Sequence, residues 1–111
     1  KLNEIAAMDE RAFHDRVDAL FMAMEDALDD LDQDIDVDSS GGILTLGFLD
    51  GSAIVFSRQI AGFEVWVAAR SGGYHLALCG QDFRCGTTDE GMGALTNRVI
   101  GEHLGTEVSV L

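Results

Sequence analysis

The sequence contains no proline, and its 7 lysines and arginines are outnumbered by 20 aspartates and glutamates. With no proline, no repeats and no low-complexity stretch, nothing marks an internal linker, so the 111 residues read as one domain around one core. A formal net charge of −13 sets the surface against nucleic acid and anionic lipid, and favours cations or a basic protein surface. No apolar run reaches the roughly 18 residues of a membrane span. Nor does a basic segment followed by an apolar one open the chain, and these absences predict a cytoplasmic protein. Nucleophile elbows, phosphate loops and paired catalytic carboxylates are missing too, which predicts that the protein is not an enzyme.

Cysteine is scarce: only Cys79 and Cys85, on either side of Gly80-Gln81-Asp82. With the turn near Gln81 the two are offset along paired strands, a poor geometry for a disulfide, and their spacing is not that of a zinc site. Reduced, packed thiols are the expectation.

Residues 9–31 carry a helical period, with Phe13, Val17, Leu20, Met24, Leu28 and Leu31 on one face. Asp15, Asp18, Glu25, Asp26, Asp29 and Asp30 lie opposite. Asp9 is a candidate N-cap, and Met8 with Phe13 a hydrophobic staple. Residues 1–7 add no period, and Met8 is a sensible natural start. The domain is therefore set at 8–111, with 1–7 a non-native or unstructured extension.

From Asp34 the period becomes two. Leu44, Leu46 and Phe48 alternate with Thr45 and Gly47, then Asp50-Gly51 marks a hairpin before Ile54 and Phe56. Phe63, Val65, Val67 and Ala69 face one way and Glu64, Trp66, Ala68 and Arg70 the other. A turn at Ser71-Gly72-Gly73 leads to Tyr74, Leu76 and Leu78, and Phe83 to Cys85 form a last short strand. Thr87 and Glu90 read as the capping box of a second helix that runs to Leu104 and stops at Gly105; Gly91, Gly93 and Gly101 weaken it. The end, Glu107 to Val110, is extended. The fold class is α+β: two helices packed on one face of an antiparallel sheet of about six strands, the other face open to solvent.

Acidic residues continue past the first helix, with six aspartates between Asp29 and Asp38. Like charges at the negative end of a helix repel one another and the macrodipole, at a cost that sums to about a few kcal/mol. A solvated helix face is the simplest account. Three details oppose it: no lysine or arginine occurs between Arg16 and Arg58, the acids sit at the unfavourable helix end, and Asp32, Asp34, Asp36 and Asp38 recur at spacing two. Such a surface offers hard oxygen ligands without a cage, suited to hydrated iron, calcium or manganese held weakly. An EF-hand is excluded by register: counted from Asp30, the glycine position is Ile35 and the last ligand position is Gly41. His14 is either an added imidazole ligand or a plain surface histidine. By parity Trp66 points onto the open sheet face, either half-covered by neighbours or as a partner anchor. His75, His103 and Tyr74 read as packing or surface residues.

Taken in order, "FHDRVDALFMAMEDALDDLD", "GGILTLGF" with "DGS", "SRQ", "EVWVAARSGGYH" and "GTEVSV" make the chain from about Met8 onward resemble the frataxin family in its bacterial form. The resemblance implies an iron-binding protein of iron–sulfur cluster assembly, monomeric when metal-free. It implies weak binding of ferrous and ferric iron by Glu25, Asp26, Asp29, Asp30, Asp32, Asp34 and Asp36, with His14 beside them. It further implies docking of a cysteine desulfurase on Asp18, Glu25, Asp26, Asp29 and Asp30, and of the assembly scaffold protein on Trp66. Two departures from the family pattern stand out: a shorter connection between the first helix and Gly41-Gly42, and Leu49 where bacterial members often carry an acid. The alternative of another class is a small acidic chaperone for secreted proteins, which would dimerise around an apolar groove; a third, a ferroxidase, would need a preformed redox site.

Overall fold

A computed structural model describes residues 10–80 and 82–111; the expected cap at Asp9, the staple residue Met8 and the extension 1–7 lie outside the described residues. Helix α1 spans Glu10–Asp29. Its buried stripe is Phe13, Val17, Phe21, Met24 and Leu28, at spacings of four, four, three and four. Phe21 therefore takes the central place expected of Leu20; Leu20 and Leu31 flank the core, partly buried. The helix stops at Asp29, short of Leu31, where its last turn holds no basic side chain and Asp30 and Asp32 follow directly.

Six strands follow: β1 (Ile35–Ser40), β2 (Ile43–Phe48), β3 (Ala53–Gln59), β4 (Glu64–Ala69), β5 (Gly72–Cys79) and β6 (Asp82–Cys85). Each pairs antiparallel with the next, so the sheet order is the chain order, a simple meander. A 3-10 turn, Ile60–Gly62, carries β3 into β4. The alternation read from sequence holds: Leu44, Leu46, Ile54, Phe56, Val65, Val67 and Leu76 are buried under the helices. At the last hairpin Leu76 pairs with Cys85 and Cys79 with Asp82, so the two thiols are offset and free, Cys85 buried but Cys79 exposed.

The second helix, α2 (Met92–Leu104), begins later than the expected capping box allows. Gly91 is the N-cap and no side chain caps it. The two would-be caps are engaged elsewhere: Glu90 accepts two hydrogen bonds from Arg98 at 2.9 and 2.8 Å, and Thr87 Oγ1 sits 3.3 Å from Cys85 Sγ. Gly105 ends α2 as expected, in the left-handed region at φ 75° and donating to the Gly101 carbonyl. Gly101 serves a close approach, because a Cβ there would lie 2.9 Å from the Thr106 carbonyl oxygen where the chain folds back. That returning tail joins no described strand; Asn97 Oδ1 accepts from the amides of Val110 and Leu111 at 2.8 and 3.2 Å.

Candidate functional site

The acidic residues lie where α1 ends and β1, the edge strand, begins. Glu25, Asp26 and Asp29 project from the last two turns of α1 and, with Gln33 and Val37, border a groove of about 520 Å³. Asp30 and Asp32 stand exposed in the turn that follows. Three backbone features set these positions: the period that buries Met24 and Leu28 turns Glu25, Asp26 and Asp29 outward, the turn frees Asp30 and Asp32, and strand pleating then takes over.

The pleat divides the carboxylates. Ile35 pairs with Phe48 and Val37 with Leu46, so odd-numbered residues of β1 face the helices. Asp36 pairs with Gly47 and Asp38 with Thr45, which places them on the open side. Asp34 and Asp36 line a separate cleft of about 360 Å³ with Gly47, Phe48 and Leu49. Exposed Leu49 stands at the rim of this second cleft, so it gains no carboxylate from the β2–β3 turn. Among the described residues no three histidine, cysteine, aspartate or glutamate side chains converge closely enough to cage a metal ion. What this arrangement offers a cation is one or two oxygen ligands at a time, with water completing the shell.

His14 is not gathered into either set. It lies eleven residues before Glu25, about 16 Å along the helix axis. Its Nδ1 accepts from the Arg58 guanidinium at 2.8 Å, and the same guanidinium reaches Asp18 Oδ1 at 2.8 Å while lying over the Phe21 ring at 5.5 Å. Arg58 thus ties β3 to α1 and neutralises the first part of the acidic helix face. Among the described residues no cation forms an ion pair with the carboxylates from Glu25 to Asp38.

Trp66 lies on the open face, as parity predicts, and combines the two expected states. The residue is 38% exposed, and its ring is stacked on His75 at 4.1 Å between centroids and 8° between planes. Its indole Nε1 donates to Glu64 Oε1 at 2.7 Å. Val55, Ser57, Ala68 and Gly73 floor the shallow depression beside it. One ring face is thus fixed and the rest is offered to solvent.

Sequence reasoning missed Arg58 and His75. The signals existed: Arg58 is the first cation after Arg16, and counting back from the tight turn at Arg70-Ser71 puts His75 opposite Trp66.

Comparison with known proteins agrees with this fold. The family model for the frataxin-like domain matches residues 6–106. The chain belongs to the frataxin family. Among curated relatives, the iron-sulfur cluster assembly protein CyaY of Pseudomonas aeruginosa is 44% identical over 103 residues, covering 91% of this chain and 95% of that protein. The CyaY protein of Ectopseudomonas mendocina is 41% identical over 104 residues, covering 92% of this chain and 94% of its own. Of solved structures, frataxin from Psychromonas ingrahamii superposes with a TM-score of 0.86 at 21% identity, over 94% of this chain and 99% of that one. Yeast frataxin superposes with a TM-score of 0.67 at 17% identity, over 92% and 88%. The two helices and six-stranded antiparallel sheet are thus the frataxin fold. No helix among the described residues of this frataxin-family chain is long and apolar enough to cross a membrane.

Proposed function

We propose that the chain acts in iron–sulfur cluster assembly as a non-catalytic frataxin-like domain, residues 8–111, that binds ferrous or ferric iron weakly and docks on the assembly machinery. The observation that carries this reading is the uncompensated carboxylate surface at the α1–β1 junction, Glu25 to Asp36, beyond the reach of Arg58. Exposed carboxylates without a cage leave an iron ion partly hydrated, so binding is weak and exchangeable, and other divalent cations compete. Glu25, Asp26 and Asp29 at the end of the helix, with Asp30 and Asp32 in the turn after it, also suit a basic patch on a cysteine desulfurase. Trp66, steadied by His75 and Glu64, suits a flat contact with the scaffold protein. The relatives' names, iron-sulfur cluster assembly protein CyaY, support the same process.

A reconstituted assembly reaction tests this. Adding the chain to a cysteine desulfurase and scaffold protein supplied with ferrous iron should change the rate of cluster formation. The triple charge reversal Asp29→Lys, Asp30→Lys, Asp32→Lys should abolish that change and the binding to the desulfurase. An unaltered rate together with salt-independent binding of the triple variant would refute the reading.

A further inference from the structure

His103 sits in the last turn of α2, only 8% exposed, with its ring stacked on Phe48 at 4.7 Å. The backbone amide of Arg70, in the β4–β5 turn, donates to its Nε2 at 3.0 Å. An amide N–H can only donate, so Nε2 carries a lone pair and the proton of the neutral ring is on Nδ1. That proton meets Ser52 Oγ at 2.9 Å, and Ser52 Oγ donates to Asp50 Oδ1 at 2.5 Å. Asp50 also accepts the Ser52 amide at 2.9 Å and pairs with the Arg70 guanidinium. One imidazole therefore joins the end of α2 to two turns that are 51 and 33 residues away in sequence.

We propose that His103 is a proton-operated latch: neutral, it clamps the β2–β3 and β4–β5 turns to the end of α2, and protonated, it lets go of the Arg70 amide. The second proton must go on Nε2, where it points at an N–H instead of an acceptor. Groups from every element packed on the ring bear on that step. Burial and the Arg70 guanidinium oppose the charged ring, whereas Asp50 and Glu102 favour it; burial is the largest influence and the balance keeps the ring below its ordinary value of 6.5. The unfolded chain thus takes up the proton first as pH falls. Stability is full above about pH 6.5, falls as pH drops through that value, and levels off below the native ring's own midpoint. Phe48 also lines the cleft of Asp34 and Asp36, so the latch lies next to one of the acidic sets.

The test is a ring-nitrogen and amide NMR titration of the full chain from about pH 7.5 to about pH 5. The latch predicts a proton on Nδ1 at the upper end, a His103 midpoint below 6.5, and Arg70 and Ser52 amides that move with that midpoint. His103→Gln offers Arg70 a carbonyl and Ser52 an N–H without titrating, so it should keep the fold and lose the stability change over this range. A His103 midpoint at or above 6.5, or Arg70 and Ser52 amides that stay put through it, overturns the proposal. So does a folded His103→Gln variant with an unchanged pH profile. Should that variant not fold, the wild-type titration decides alone.

Discussion

Asp36 lies across the β1–β2 ladder from Gly47, so its carboxylate faces the open side of the sheet while Asp29 stays on the helix side. The acidic surface is therefore two sets of carboxylates on either side of an edge strand. Neutralising Asp34 and Asp36 as Asn should remove cation-induced shifts at Gly47 to Leu49 and leave those at Glu25 to Asp29 unchanged. The reverse should hold for Asp29→Asn with Asp30→Asn, because the two sets share no carboxylate. Amide spectra of the two variants under the same cation titration check this.

Arg58 is a polar tie between α1 and the sheet, reaching His14 and Asp18 at 2.8 Å each with its side chain only 16% exposed. Arg58→Ala removes two hydrogen bonds, a cation–π contact with Phe21 and the packing of the stem. The expected loss is about 1–3 kcal/mol, read as a lower midpoint in urea with an unchanged slope. Asp18→Asn, which leaves His14 and Phe21 in contact, should cost under about 1 kcal/mol because Asp18 is exposed.

Helix propensity predicts that Gly101→Ala stabilises α2 by up to about 1 kcal/mol. The structure predicts the opposite sign. The new methyl would sit 2.9 Å from the Thr106 carbonyl oxygen, so the tail must shift or the helix bend, at a cost of about 1–3 kcal/mol. Thermal unfolding of the variant distinguishes the two, and loss of the Val110 and Leu111 amide contacts to Asn97 should accompany the destabilisation.

In acid a different pair of carboxylates acts. Asp50 is held down to about 2 by hydrogen bonds from the Ser52 hydroxyl and amide and from Arg70, and Glu90 is lowered first of all by Arg98. Both native values lie below the unfolded ones, so the stabilisation is present above about pH 4 and is lost as pH falls towards about 2. Asp50→Asn should reduce the slope in that acid range, leaving the part due to Glu90, and, because Asp50 favours the charged His103 ring, should also move the His103 step to lower pH. Urea midpoints at closely spaced pH values separate the two ranges.

Much of the fold was legible because its elements announce themselves locally. Strand alternation, the turn at Asp50-Gly51 and the stop at Gly105 are short-range signals, and the meander needs no long-range pairing to be inferred. The capping box at Thr87 failed because Glu90 has a better partner, Arg98, one that no local pattern reveals. Reading Leu20 for Phe21 was an error of one position at the edge of a broad apolar stripe. For the candidate site, composition exposed the charge and parity placed Trp66, but the split of the carboxylates depends on β1–β2 register. The His103 network was invisible, since its members come from two turns and one helix end distant in sequence.

Weak cation binding at the α1–β1 junction, through separate sets of carboxylates, is decided by an anaerobic NMR titration of the chain with ferrous iron, following the amides of His14, of residues 25–38 and 47–49, and the Trp66 indole. Selective broadening at Glu25 to Asp32 and at Asp34 to Leu49, saturating at different iron concentrations and leaving the indole unmoved, is the predicted result. Absence of perturbation in the millimolar range, or a single tight saturation joining His14 to the ridge, would contradict it.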